Sequence, residues 1–114
     1  MPIEAYGRGG FRFAGMSHRG SLLCLPSGIW AWPVDRAEAI TEAALAPAFA
    51  EASAIGLFLL GAGREPWIMP DALRRRFAEV GVSVEVARTG TAVSTFNILL
   101  GEGRRVAAAL IAVE

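Results

Sequence analysis

A chain of 114 residues, 54% hydrophobic and 19% charged, is large enough to bury one core and too apolar to be disordered. Eleven acidic residues balance eleven basic ones, so no global field draws the chain to nucleic acid or anionic lipid. Every basic residue is arginine, which excludes a Schiff-base lysine and the lysine of a Walker-type phosphate loop.

The first third is punctuated by glycine and reads as strands. "FRF" at 11–13 and "SLLCL" at 21–25, separated by Gly15 and Gly20, predict a hairpin. In "GIWAWP", Trp30 and Trp32 alternate and share one face of a strand that Pro33 ends. A helical stretch is expected from about Asp35 to Ala52, divided or kinked at Pro47. Residues 55–60 form a fully apolar strand, which opens into "GAGR". The next helix starts near Pro70, where proline suits the first turn and Asp71 suits the dipole. Its apolar face carries Leu73, Phe77 and Val80, and Gly81 closes it. "VSVEVA" alternates as an edge or one-sided strand, with Val82, Val84 and Val86 inward and Ser83 and Glu85 outward. A third helix is expected from about Thr91 to Glu102, and "VAAALIAV" at 106–113 is apolar on both faces, as a central strand must be.

These elements predict one α/β domain over residues 1–114, with no linker or repeat. A mixed β-sheet is flanked by helices, and an N-terminal strand meander precedes βαβαβ with the last strand central. The run "AALAPAFAEASAIGLFLLGAG" has the length of a membrane span. Pro47, Glu51 and the glycines argue against insertion, since a charge near a helix centre costs roughly 2.5–3.5 kcal/mol. No transmembrane span is expected. "MPIEAYGRGG" lacks the apolar region of a secretory signal, and a single cysteine suits a reducing, cytoplasmic setting.

If a right-handed crossover joins strands 55–60 and 82–87, they are parallel and their carboxyl ends share one edge of the sheet. There the loop carrying Gly61, Gly63 and Arg64 meets the segment Arg88, Thr89, Gly90, Thr91, Ser94 and Asn97, where open α/β sheets bind ligands. Thr89 or Thr91 is expected to cap the third helix, whose free amides attract anions. Either arginine can fork onto a carboxylate or phosphate, and Ser94 and Thr95 can turn hydroxyls to the same place. Asn97, the only asparagine, sits in a helix interior that disfavours it. A small anion is the ligand these groups fit. The competing reading is purely structural: a tight glycine turn, a capped helix, and an asparagine bonding a neighbouring loop. No dinucleotide fingerprint is present, because Pro66 stands where its third glycine belongs.

Other candidates carry less. His18 reads as an ordinary surface or strand histidine and Cys24 as a small buried hydrophobe. One histidine and one cysteine exclude a Cys/His zinc site within the chain. Arg74, Arg75 and Arg76 read as a solvated face, and Glu38 and Glu42 as surface charge without a partner. No triad forms, so no catalytic residue, metal or cofactor is assigned.

The stretches "YGRGGFRFAG", "GSLLCLPSGIWAW", "LFLLGAGR" and "RRFAEVGVSVEVARTGTAVSTFNILLGEGRRVAAALIAV", in this order, resemble a small α/β domain of unknown function. That family includes the third assembly factor of mitochondrial respiratory complex I, the NADH dehydrogenase, and many uncharacterised bacterial proteins. Its most specific stretch is "TGTAVSTFN…EGRRVAAAL". The resemblance implies a mixed sheet with the last strand in the middle, no settled reaction, and a part in building a membrane complex. Phe96 departs from the family pattern, which often has tyrosine before asparagine, so no proton donor is expected there.

Two functions follow. One is a non-enzymatic assembly or interaction protein with protein partners, for which Trp67 in "REPWIMP" is the expected exposed anchor. The other is a small-molecule or anion binder, or an enzyme, using the 61–64 and 88–97 loops.

Overall fold

The computed structural model describes residues 1–114. Its main sheet runs β5–β4–β8–β6–β7, formed by β4 (Ser21–Leu25), β5 (Gly28–Trp32), β6 (Leu57–Gly61), β7 (Ser83–Ala87) and β8 (Val106–Leu110). β8 lies in the middle, parallel to β6 and antiparallel to β4, and all five of its residues are buried. An apolar strand without alternation is what a position covered on both faces requires. β7 is an edge strand parallel to β6. Val84 and Val86 lean on the core, while Ser83 and Glu85 are exposed.

Two cores lie on opposite faces of this sheet. Leu23, Phe58, Leu60 and Ala109 face helix α2 (Asp71–Glu79), which contributes Leu73 and Phe77. Leu22, Cys24, Leu59 and Ala108 face helix α3 (Thr89–Gly101), which contributes Ala92, Val93 and Phe96. The chain therefore leaves β6 toward one face and β7 toward the other. Such a divergence opens a crevice at the carboxyl ends of adjacent parallel strands.

The front of the chain departs from the expected hairpin. Residues 11–13 and 21–25 do not pair. β1 (Ala5–Gly7), β2 (Gly10–Phe13) and β3 (Met16–Arg19) form a separate three-stranded antiparallel sheet, while β4 pairs with β5. Both of the small sheet's turns have two central residues at positive φ: Arg8 and Gly9 at 53° and 78°, Ala14 and Gly15 at 50° and 72°. This is the primed geometry that matches strand twist. Arginine and alanine at the first turn positions hid it from sequence, since asparagine or glycine is usual there.

The helix expected over 35–52 is also corrected. Short 3-10 turns at Ala37–Ala39, Ala43–Leu45 and Ala52–Ala54 surround a single α turn, α1 (Ala46–Phe49). Pro47 sits in the first turn of α1 instead of breaking a longer helix. The buried positions Ala37, Ile40, Leu45 and Ala48 are spaced three, five and three, which no α stripe reproduces. The Trp32 indole also donates to the Ala44 carbonyl at 2.8 Å, diverting it from a helical ladder. No helix is long and apolar enough to cross a membrane.

Candidate functional site

The turn after β6 is built by one buried hydroxyl. Thr89 is 1% exposed; its Oγ1 accepts from the Gly63 amide at 3.0 Å and donates to the Ile111 carbonyl at 2.7 Å. The Thr89 amide in turn donates to the Gly63 carbonyl at 2.9 Å. This clasp joins the ends of β6 and β8 to the start of α3, with Gly63 at φ 100°. Gly61 lets the helix approach: a Cβ there would lie 3.0 Å from Thr89 Cα and 3.2 Å from Ala92 Cβ. "GAGR" thus turns a corner against a helix, and the hydroxyl of Thr89 is consumed by the fold.

Beside this clasp lies an open cleft of about 550 Å³. Gly63, Arg64, Arg88, Gly90, Thr91 and Ser94 line it, so six of the nine residues expected from sequence meet there. Gly61 and Thr89 lie beneath it as structural groups. Asn97 lies outside it, and Thr95 is absent from its lining. The helix-capping expectation is corrected too. α3 begins at Thr89, its cap position is Arg88, and no side chain caps it. The amides of Thr89 and Ala92 bond to Gly63 and Arg88, whereas those of Gly90 and Thr91 find no protein acceptor. Two free amides and two exposed guanidinium groups give the cleft a donor-rich wall. Arg64 also reaches the main-chain oxygen of Glu114.

Sequence reasoning missed four lining residues, Tyr6, Gly7, Val113 and Glu114. Tyr6 lies over Gly90, where a Cβ would collide with the phenol. It had no signal, because its neighbour is 84 positions away and belongs to a different sheet-to-helix contact. Across Arg64, a second depression of about 470 Å³ is lined by Trp67 together with the acidic groups Asp35, Glu38 and Glu65. Trp67 is half-buried against the core, correcting its expected exposure; its neighbour Ile68 projects instead, 90% exposed. On β5, Trp32 is buried while Trp30 is 53% exposed.

Elsewhere the side chains serve the fold. Burial pushes the Cys24 thiol up to about 12, so it packs as a neutral group. His18 is half-buried on β3, tilted 6.5 Å from Phe13. Glu42, expected to lack a partner, pairs with Arg76 at 3.3 Å, and Arg76 also stacks on Phe49. No group of three potential metal ligands occurs.

Residues 3–111 match the family described as "Protein of unknown function (DUF498/DUF598)". The chain belongs to this family. It is 37% identical over 112 residues to an uncharacterised protein of Rhodobacter capsulatus, covering 97% of this chain and 84% of the relative. The human NADH dehydrogenase [ubiquinone] 1 alpha subcomplex assembly factor 3 is 31% identical over 111 residues. That match covers 97% of this chain but 60% of the human protein, so the DUF498 chain spans about three-fifths of its mitochondrial relative. Among solved structures, one from Bartonella henselae, described as an outer membrane protein, superposes with a TM-score of 0.95. It is 46% identical, with 99% of this chain and 95% of that one covered. The Rpa2829 protein of Rhodopseudomonas palustris superposes at 0.88 with 50% identity, covering 97% and 82%. The mixed-sheet α/β fold and the family resemblance read from the sequence are both borne out.

Proposed function

We propose that this chain is an interaction module that helps assemble a membrane complex, respiratory complex I or another, and that it does so from the cytoplasmic side without catalysing a reaction. The observation that carries this reading is the match of almost the whole chain to proteins named as complex I assembly factors. The carboxyl-edge cleft is the surface we assign to the partner. Its arginines, free amides and the Ser94 and Thr91 hydroxyls are groups that hold a partner's acidic side chains. Trp67 and Ile68 on the neighbouring loop add apolar contact.

The test is affinity capture from a gently solubilised lysate, with Arg64→Ala and Trp67→Ala beside the wild type. Recovery of respiratory-complex or membrane-insertion subunits, lost in either folded variant, supports the reading. Equal recovery by both variants overturns the assigned surface, and no recovery by intact bait overturns the assembly role.

One observation favours a second reading. The unpartnered Gly90 and Thr91 amides beside Arg64 and Arg88 suit a small anion. Titration with phosphate, sulfate and nucleotides should then shift those two amides before any others. Unchanged spectra and melting temperature rule the anion out.

A further inference from the structure

Of the two tasks open to Asn97, a ligand or a neighbouring loop, its side chain takes the second. Its Oδ1 accepts from the Ile3 amide at 2.8 Å, and its Nδ2 donates to the Ile3 carbonyl at 2.7 Å. A carboxamide meeting one residue's N–H and C=O reproduces the pairing of a neighbouring strand. Here it seats an extended N-terminal segment on α3. The contact points run in opposite order along the two elements: Ile3 meets Asn97, and Tyr6 meets Gly90 two turns earlier. Gly90, Ser94 and Asn97, at intervals of four and three, form the face along which the segment lies.

The segment is anchored at few points. Ile3 is 2% exposed, whereas Met1, Pro2, Glu4, Ala5 and Tyr6 are exposed. No strand of the small sheet pairs with the main sheet. Besides the Asn97 pair, the backbone tie from β1–β3 to the main body is the Gly9 amide on the Val113 carbonyl, 2.8 Å. Apolar packing of Ile3, Phe11 and the half-buried Phe13 against the α3 core adds to the attachment. By contrast, β8 is paired on both sides and fully buried. Regions with few buried contacts and exposed backbone open without global unfolding.

We infer that Asn97 is a positioning residue, the latch of a detachable N-terminal strap whose Tyr6 supplies the movable wall of the carboxyl-edge cleft. The latch itself stands on the hydrogen bonds above; its importance for binding rests on the cleft reading already proposed. When the strap is docked, Tyr6 covers the Gly90 face and narrows access to the free helix amides. When it lifts, that wall leaves and the α3 face under Ile3 is bared. Asn97 controls the cleft without touching what the cleft holds.

Amide hydrogen exchange on the full chain tests this, read residue by residue by NMR. In the wild type the Ile3 amide should exchange at least about a hundredfold faster than those of Ala107–Ala109 in β8. Asn97→Ala removes both hydrogen bonds to Ile3 and should speed its exchange by at least about a further tenfold, leaving β8 unchanged. Asn97→Asp keeps the acceptor for the Ile3 amide but sets an oxygen against its carbonyl, so it should also release the strap. In both variants the Gly90 and Thr91 resonances should shift as the Tyr6 ring withdraws. If Ile3 and β8 exchange at one common rate in the wild type, the strap is part of the global fold and the inference fails, whether or not a variant folds. Release of Ile3 with Gly90 and Thr91 unmoved refutes the wall. These readouts need no partner, so a failure of the assembly proposal would be seen separately, in the capture experiment.

Discussion

The carboxyl edge of the main sheet and the N-terminal small sheet are both built on glycine turns, yet they are held in opposite ways. At the edge, Gly63 is locked by a buried hydroxyl that satisfies both neighbouring strands' ends, and Gly61 admits the helix. In the small sheet, the turn at Ala14–Gly15 faces solvent, and one asparagine, the Gly9 amide on Val113 and a few apolar side chains hold the module down. The first region is rigid because its polar groups are inside and mutually satisfied. The second is dockable because most of its backbone is already paired within itself. On the strap inference, the cleft lined from both sides has one fixed wall and one that lifts.

The sharpest way to break this contrast is at Thr89. Thr89→Val preserves shape but strands the Gly63 amide and the Ile111 carbonyl, and should cost about 2–4 kcal/mol in denaturant unfolding. A loss below 1 kcal/mol would show that the clasp is not what holds the edge.

The buried sheet has its own pH signature. Cys24 is neutral in the fold up to about 12, against an ordinary value of 9.0. Below pH 9 its burial contributes fully; as pH climbs from 9 toward 12, the unfolded chain ionises first and that stability is lost. Cys24→Ala should flatten this alkaline decline, measured as the slope of unfolding free energy against pH. At pH 8 the native thiol should also resist alkylation until the chain is unfolded.

On the small sheet, effects are smaller. Ala14→Asn should stabilise by about 0.5–1 kcal/mol, since asparagine tolerates the positive φ that strains alanine; a lowered melting temperature would refute the turn assignment. Smallest of all, Arg64→Ala and Arg88→Ala should change stability by less than about 0.5 kcal/mol, as both side chains are exposed. Any loss of partner capture by these variants then belongs to the cleft and not to folding.

Much of the main sheet was legible because its signals are local. Unbroken apolar runs marked β6 and β8 as covered on both faces, and alternation marked β7 as an edge. Six cleft residues were legible for the same reason: strand direction fixes where loops gather. The misreadings have a common cause. The 35–54 segment contains helix-forming alanines, but the Trp32 indole and the spacing of its buried side chains decide its shape. Thr89 and Asn97 stand out in the sequence as side chains with a task, offered either to a ligand or to the fold as a helix cap and a bond to a neighbouring loop; the fold takes both, Thr89 as a clasp and not as a cap. Their true partners, Ile111 and Ile3, lie 22 and 94 positions away.

The sequence by itself determined the α/β class, the family, the central position of the last strand and the edge where a cleft forms, since periodicity and strand order follow from local patterning. Only the tertiary structure decided that the front of the chain is a separate sheet, that Thr89 belongs to the fold, and that Asn97 holds the N-terminal segment against α3. Each of those outcomes depends on which buried polar group finds which distant partner, and a buried donor or acceptor takes the one that packing brings within reach.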